Sequence, residues 1–206
     1  MIPARFDYKR ATSAAEAISL VSQYGDDAKF LAGGHSLIPL MKLRLAQPGV
    51  LVDIGRLNDL SYITDKGDHI AIGALTRHMR IENCELLKKE VPLLAHAASH
   101  VGDAQVRHRG TIGGSIAHAD SASDLPATTL ALGATYVAHG PKGERMIAAK
   151  DFYKGFLESA LDTHCLRSGR SVALPHWQPT RRRPQQRHPC SRLRSRSWRG
   201  SASSPS

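Results

Sequence analysis

Cysteine is scarce. Only Cys84, Cys165 and Cys190 occur in 206 residues, too few and too scattered for a disulfide framework or a four-ligand zinc site. A four-cysteine iron–sulfur pattern is missing as well. No apolar run approaches the roughly 18–20 residues that a membrane span requires. No charged-then-apolar leader opens the chain, which runs from Met1-Ile2-Pro3-Ala4 straight into polar sequence. Together these absences predict a soluble, cytoplasmic protein with reduced thiols and no transmembrane segment. Aromatic residues make up only 5 %, but apolar residues reach 41 %, enough for a buried core over most of the length.

The formal net charge of +10 has the sign expected of a nucleic-acid binder. Its placement argues otherwise. Residues 1–160 hold 18 Lys+Arg against 17 Asp+Glu, whereas residues 161–206 hold 10 Arg, no Lys and one acid. The basicity therefore belongs to the last 46 residues. That segment also contains five of the eleven prolines, nine serines, both tryptophans (Trp177, Trp198) and two of the three cysteines. Such a composition is expected to stay disordered, because it cannot bury enough apolar area to offset its ordering entropy. An Arg-rich tail binding nucleic acid is one reading of it. The preferred reading is a GC-rich gene translated out of frame, since Arg, Pro, Ser, His, Cys and Trp appear abruptly and without lysine.

The body alternates between strand and helix patterns. Phe6-Asp7-Tyr8 reads as a short strand. Ser13 and Glu16 form a capping box, opening a helix that places Ala14, Ala17, Ile18 and Val21 on one face and stops at Gly25. Lys29 to Ala32 is a strand, Gly33-Gly34-His35-Ser36 a turn, and a helix begins near Leu37 with Pro39 in its first turn, where a missing N–H costs little. Val50 to Ile54 completes a β-α-β unit. Beyond Gly55, His69 to Gly73 alternates like a strand and helical stretches cover 77–88 and 92–101. A second glycine loop spans Gly110 to Ser115, a helix runs from Asp124 through Leu132, and residues 135–138 and 144–147 form a hairpin around Pro141-Lys142-Gly143. The sequence thus predicts an α+β fold with subdomains over 1–57 and 58–160, followed by a disordered tail over 161–206.

Two segments point to chemistry. Ala32-Gly33-Gly34-His35-Ser36 lies between a strand and a helix start, where glycine allows close backbone approach and free N–H groups favour a phosphate. The spacing matches neither the dinucleotide G-x-G-x-x-G pattern nor the Walker loop, and a purely connecting turn is an equal alternative for this loop alone. Thr111-Ile112-Gly113-Gly114-Ser115 offers a second glycine-hydroxyl loop. Two such loops in adjacent subdomains can grip one diphosphate in a junction pocket. Ser123-Asp124 follows; Asp124 is a candidate acceptor for a ribose or ribityl hydroxyl, or equally a helix-start residue. His96, His100, His108 and His118 lack zinc-ligand spacing. Cys84, between acids in Glu82-Asn83-Cys84-Glu85, lacks the setting of a nucleophile.

The stretches Leu31-Ala32-Gly33-Gly34-His35-Ser36-Leu37-Ile38-Pro39-Leu40-Met41-Lys42 and Val106-Arg107-His108-Arg109-Gly110-Thr111-Ile112-Gly113-Gly114-Ser115-Ile116-Ala117-His118-Ala119-Asp120 resemble the two FAD loops of the molybdenum hydroxylase flavoprotein subunits, most closely the carbon monoxide dehydrogenase branch. The resemblance extends over about residues 1–160, including Met1 to Phe6 and Asp151-Phe152-Tyr153. It implies the α+β fold of the molybdenum hydroxylase and vanillyl-alcohol-oxidase-like flavoproteins, and FAD as cofactor. It also implies a role as oxidoreductase subunit: electrons arrive from iron–sulfur clusters on a small subunit, which are fed by a molybdenum-cofactor large subunit, and leave through FAD to an external acceptor. By the same resemblance Ala32, Gly33, Gly34, His35, Ser36 and Leu37, with Thr111, Gly113, Gly114 and Ser115, wrap the diphosphate. Asp124 would bond the adenosine side, its neighbour Ser123 is counted among the cofactor-binding residues, and Lys29 is a weaker candidate. Position 121 is Ser where the family usually has Pro. Family members continue into a C-terminal α/β domain, where this chain has the Arg-rich tail. A self-contained FAD-dependent oxidoreductase and an Arg-tailed nucleic-acid-binding protein remain as alternatives.

Overall fold

Strand β1 (Asp7–Arg10) leads into helix α1 (Ala14–Tyr24), in a computed structural model that describes residues 2–161 and 171–175. Ser13 is extended and its Oγ accepts the Glu16 N–H at 3.1 Å, satisfying one of the orphan donors of the first turn. The return bond differs from the expected capping box: the Glu16 carboxylate accepts from the Thr12 N–H at 2.7 Å and from the Thr12 hydroxyl. These bonds hold the Glu16 carboxyl below the usual carboxylate range. Ala17, Ile18 and Val21 form the buried stripe, and Gly25 ends the helix at φ +61°, a conformation glycine adopts without penalty.

Strand β2 (Ala28–Leu31), helix α2 (Leu37–Lys42) and strand β3 (Val50–Asp53) make the β-α-β unit. The sheet is parallel in the order β1-β3-β2, with Tyr8 and Lys29 both opposite Leu51. Its core, with Ala17, Ile18, Val21, Val52 and Ile54 at the centre, also takes in Leu57, Leu60 and Leu75. The first core therefore draws residues from beyond position 57.

The second core lies between an antiparallel sheet and a set of short helices. After β4 (Ile63–Asp65) and β5 (His69–Gly73) the chain forms α3 (His78–Glu82), α4 (Glu85–Glu90), α5 (Pro92–His100), α6 (Ala104–Arg109), α7 (Ile112–His118) and α8 (Asp124–Ala131). Strands β6 (Thr135–Gly140) and β7 (Gly143–Ala148) form the expected hairpin. Helix α9 (Ala149–Phe152) and the small pair β8 (Tyr153–Gly155) and β9 (Glu158–Ser159) follow. Inside this core the buried Tyr136 hydroxyl is 2.7 Å from Thr129 Oγ1 and 3.0 Å from the Tyr153 hydroxyl. Burial pushes both phenols up.

The tail expectation needs correction at one place. Strand β10 (Ser171–Pro175) lies inside the segment expected to be disordered, yet it completes the five-stranded sheet in the order β4-β5-β10-β6-β7. Leu174 faces Ile70 and Val172 faces Ile72 on one side, and Val172 faces Tyr136 on the other. Val172 and Leu174 are buried in the second core. Two alternating apolar residues inserted between two waiting strands gain both ladders and burial, about 1.5–3 kcal/mol per side chain. Composition summed over 46 residues concealed them. Trp177, Trp198, Cys165, Cys190 and the arginine runs lie outside the described residues.

Candidate functional site

The first glycine loop is built as its sequence suggests. β2 delivers the chain at Leu31, α2 begins at Leu37, and Ala32 to Ser36 turn between them. Gly33 is buried, and a Cβ there would stand 2.4 Å from the Arg109 carbonyl oxygen. The loop thus rests directly on the backbone that precedes α7. Gly34 takes φ +78°, open to glycine at little cost. The Gly34 carbonyl accepts from the Ile38 N–H at 2.9 Å and that of Ser36 from the Leu40 N–H at 3.3 Å. The N–H groups of Gly33, Gly34, His35 and Ser36 have no partner among the described residues. Consecutive unpaired N–H groups on a turn form a concavity suited to an oxyanion. His35 Nδ1 lies 3.1 Å from the Gly33 carbonyl. A carbonyl only accepts, so this contact puts a proton on Nδ1.

The second segment is not the loop expected from Gly110 to Ser115. Thr111 is the N-cap of α7, extended at φ −123°, and its hydroxyl accepts the Gly114 N–H at 3.2 Å. The Ile112 N–H donates to Thr76 O at 3.1 Å and the Gly113 N–H to Ala74 O at 2.9 Å. Ser115 N–H donates to Thr111 O. Gly113 and Gly114 therefore occupy the first turn of a helix, and the donors expected to face a diphosphate are committed within the protein. What this segment presents is side chain: the hydroxyls of Thr111 and Ser115.

The two segments face one cleft of about 660 Å³. Lys29, Ala32, Gly33, Gly34, His35, Ser36 and Leu37 line one wall, with Thr111, Gly114, Ser115 and Ser123 on the other. Two expected residues are not brought there. Gly113 is buried in the first turn of α7, and its N–H donates to Ala74 O. Asp124 begins α8 as an exposed first-turn residue, while its neighbour Ser123 reaches the cleft. Lys29 lines the cleft and is already engaged by another group.

Three further residues line the cleft: Asp120 and Gly110, which lie in the second stretch but were not named as cofactor-binding, and His78, which sequence reasoning missed. Asp120 lines the cleft beside Ser123, with its Oδ1 accepting the Ala122 N–H at 2.9 Å. Gly110 also lines it, packed so closely on His78 that a Cβ there would meet His78 Nε2 at 2.7 Å. His78 itself, 2 % exposed, follows the turn after β5 and closes the cleft wall. Its backbone N–H donates to Gly110 O at 3.1 Å and its Nε2 is 3.3 Å from Ser115 Oγ. Burial, with His35 and Arg77 nearby, pulls the imidazole down to about 4, so it is neutral at pH 7. The only sequence signal was a histidine just after a strand, which has no spacing partner to single it out. Arg77 Nη1 donates to the Arg109 carbonyl, tying the same backbone that Gly33 touches. The exposed His96 and His100 pack edge to face on α5, and among the described residues no cluster of three metal-ligating side chains exists.

A family profile described as "FAD binding domain in molybdopterin dehydrogenase" matches residues 4–177. The carbon monoxide dehydrogenase medium chain of Hydrogenophaga pseudoflava is 46 % identical over 162 residues, covering 79 % of this chain and 56 % of that protein. The glyceraldehyde dehydrogenase medium chain of Sulfolobus acidocaldarius is 45 % identical over 155 residues, covering 75 % and 55 %. Among solved structures, carbon monoxide dehydrogenase from H. pseudoflava lacking the Mo-pyranopterin moiety superposes with a TM-score of 0.84 at 42 % identity, covering 87 % of this chain and 62 % of that one. The chain thus spans between half and two thirds of the length of the proteins it resembles.

Proposed function

The chain belongs to the family of FAD-binding domains of molybdopterin dehydrogenases, and from that premise we propose that it is the flavin-bearing, electron-transferring part of a molybdenum hydroxylase. In this reading it receives electrons from iron–sulfur clusters on a partner subunit and passes them to an external acceptor. The molybdenum centre, on a second partner, acts on the substrate. FAD, when bound, supplies a redox centre that exchanges one or two electrons. The protein's part is to hold and orient it.

The observation that carries this reading is the set of four unpaired N–H groups from Gly33 to Ser36, facing the Thr111 and Ser115 hydroxyls across one cleft. A diphosphate is acceptor-only, and these backbone N–H groups and hydroxyls can each donate to it. Ala32 and Leu37 flank the cradle, and Gly114 lets Thr111 approach as the helix cap. Ser123 and Asp120 offer acceptors at the far wall for a sugar hydroxyl, the role expected of Asp124. The relatives' names span carbon monoxide and glyceraldehyde dehydrogenases; the substrate of the complex is set by the molybdenum-bearing partner.

Co-expression with the products of neighbouring genes tests the assignment. The expected result is co-purification with an iron–sulfur subunit and a molybdenum subunit, and flavin reduction that requires both. A chain that binds FAD and reduces an acceptor unaided would overturn it in favour of a self-contained oxidoreductase.

A further inference from the structure

His78 is almost wholly buried, yet only one of its two ring nitrogens has a partner. Nε2 sits 3.3 Å from Ser115 Oγ, while Nδ1 is shielded from solvent and has no hydrogen-bond partner. Two neutral tautomers are open to it. With the proton on Nδ1, the structure would hold a buried N–H with no acceptor. With the proton on Nε2, the unpaired group is a bare lone pair, and the N–H is used on Ser115. Orphaned buried N–H groups are the rarer and costlier defect. The Nε2–H tautomer is therefore favoured, and Ser115 Oγ is the acceptor in this contact.

That assignment determines what Ser115 offers the cleft. A serine oxygen that accepts from His78 directs its own proton elsewhere. Ser115 lines the cleft and its backbone N–H is already committed to Thr111 O, so its hydroxyl proton is the donor it has left for a ligand. We propose that His78 is a positioning residue that fixes Ser115 as a hydrogen-bond donor toward the anion in the cleft, through the relay His78 Nε2–H to Ser115 Oγ–H to ligand oxygen. The proposal rests on the reading of the cleft as the diphosphate site. The relay replaces the backbone donors that Ile112 and Gly113 spend on Thr76 and Ala74. It also accounts for Gly110, whose missing Cβ leaves room for the His78 ring.

A double-mutant cycle with FAD as probe, read by flavin fluorescence on the full chain, tests the relay. His78→Leu is expected to weaken FAD binding about five- to tenfold, the loss of one well-placed hydrogen bond. Ser115→Ala should do the same, and the double variant should be no weaker than Ser115→Ala alone. His78→Gln, whose amide N–H reaches toward the Nε2 position, should recover most of the affinity. Equal losses from His78→Leu in the wild-type and Ser115→Ala backgrounds would overturn the proposal, because His78 would then act independently of Ser115. Nitrogen-15 shifts of His78 in the ligand-free protein decide the tautomer directly: protonated Nε2 supports the relay and protonated Nδ1 overturns it. Failure of the wild type to bind FAD would remove the diphosphate reading, while the tautomer would still show whether Ser115 is fixed as a donor.

Discussion

Replacing Leu174 with alanine should destabilise the protein substantially. Leu174 is fully buried, stands opposite Ile70 in the ladder, and belongs to a strand paired on both sides. Truncating a buried leucine removes its transfer free energy and leaves a cavity, together about 2–5 kcal/mol. Two intact ladders limit how far the surroundings can collapse, which favours the middle of that range, about 3 kcal/mol. For a domain of this size each kcal/mol lowers Tm by roughly 2–4 °C, so the expected drop is about 6–12 °C. Thermal unfolding followed by circular dichroism measures it, with Met146→Ala as control. Met146 lies on the edge strand β7 and is 74 % exposed, so its truncation should fall within about 0.5 kcal/mol of wild type. If the two variants melt together, β10 does not sit in the sheet centre, and the segment after Leu161 reverts to the solvated tail its composition suggests.

Two further outcomes follow from the cleft. His78 titrates near 4 in the folded protein against 6.5 when free. Between those values the unfolded chain binds the extra proton, so stability is complete above about pH 6.5 and falls as pH drops toward 4, by up to about 3 kcal/mol. Urea unfolding at pH 7 and pH 4.5 should show this loss in wild type and a smaller one in His78→Leu; equal losses in the two proteins would show that His78 is not a neutral buried group. Gly33→Ala forces a methyl against the Arg109 carbonyl, so the loop must move off α6 and α7. FAD affinity should fall at least tenfold with the far-ultraviolet spectrum unchanged, and full affinity in this variant would refute the close contact of the two segments.

The N-terminal unit was readable because each signal there is local. The Ser13 cap, the apolar spacing of α1, the stop at Gly25 and Pro39 in the first turn of α2 all act within one or two turns. The turn from Ala32 to Ser36, between β2 and α2, was readable for the same reason. The second segment was misread because paired glycines at 113–114 suggest a loop, while the deciding partners, Ala74 and Thr76, lie nearly forty residues away. β10 was hidden because its two apolar residues matter only once β5 and β6 leave a gap for them. His78 could not be singled out, because its burial beside Ser115 is set by tertiary packing and leaves no spacing signal in the sequence. Gly113 and Asp124 lie off the cleft while their neighbours Gly114 and Ser123 line it, a difference of one position that sequence spacing does not resolve where facing changes by about 100° per helical step.

Competition between ADP and FAD tests the central claim most directly. If the cleft holds a diphosphate on the free N–H groups of Gly33 to Ser36, the full chain should bind one FAD, and ADP should displace it competitively because it presents the same diphosphate and adenosine. Adenosine, which lacks the phosphates, should compete far more weakly. FAD binding that ADP leaves untouched, or that adenosine displaces as well as ADP does, would contradict the account.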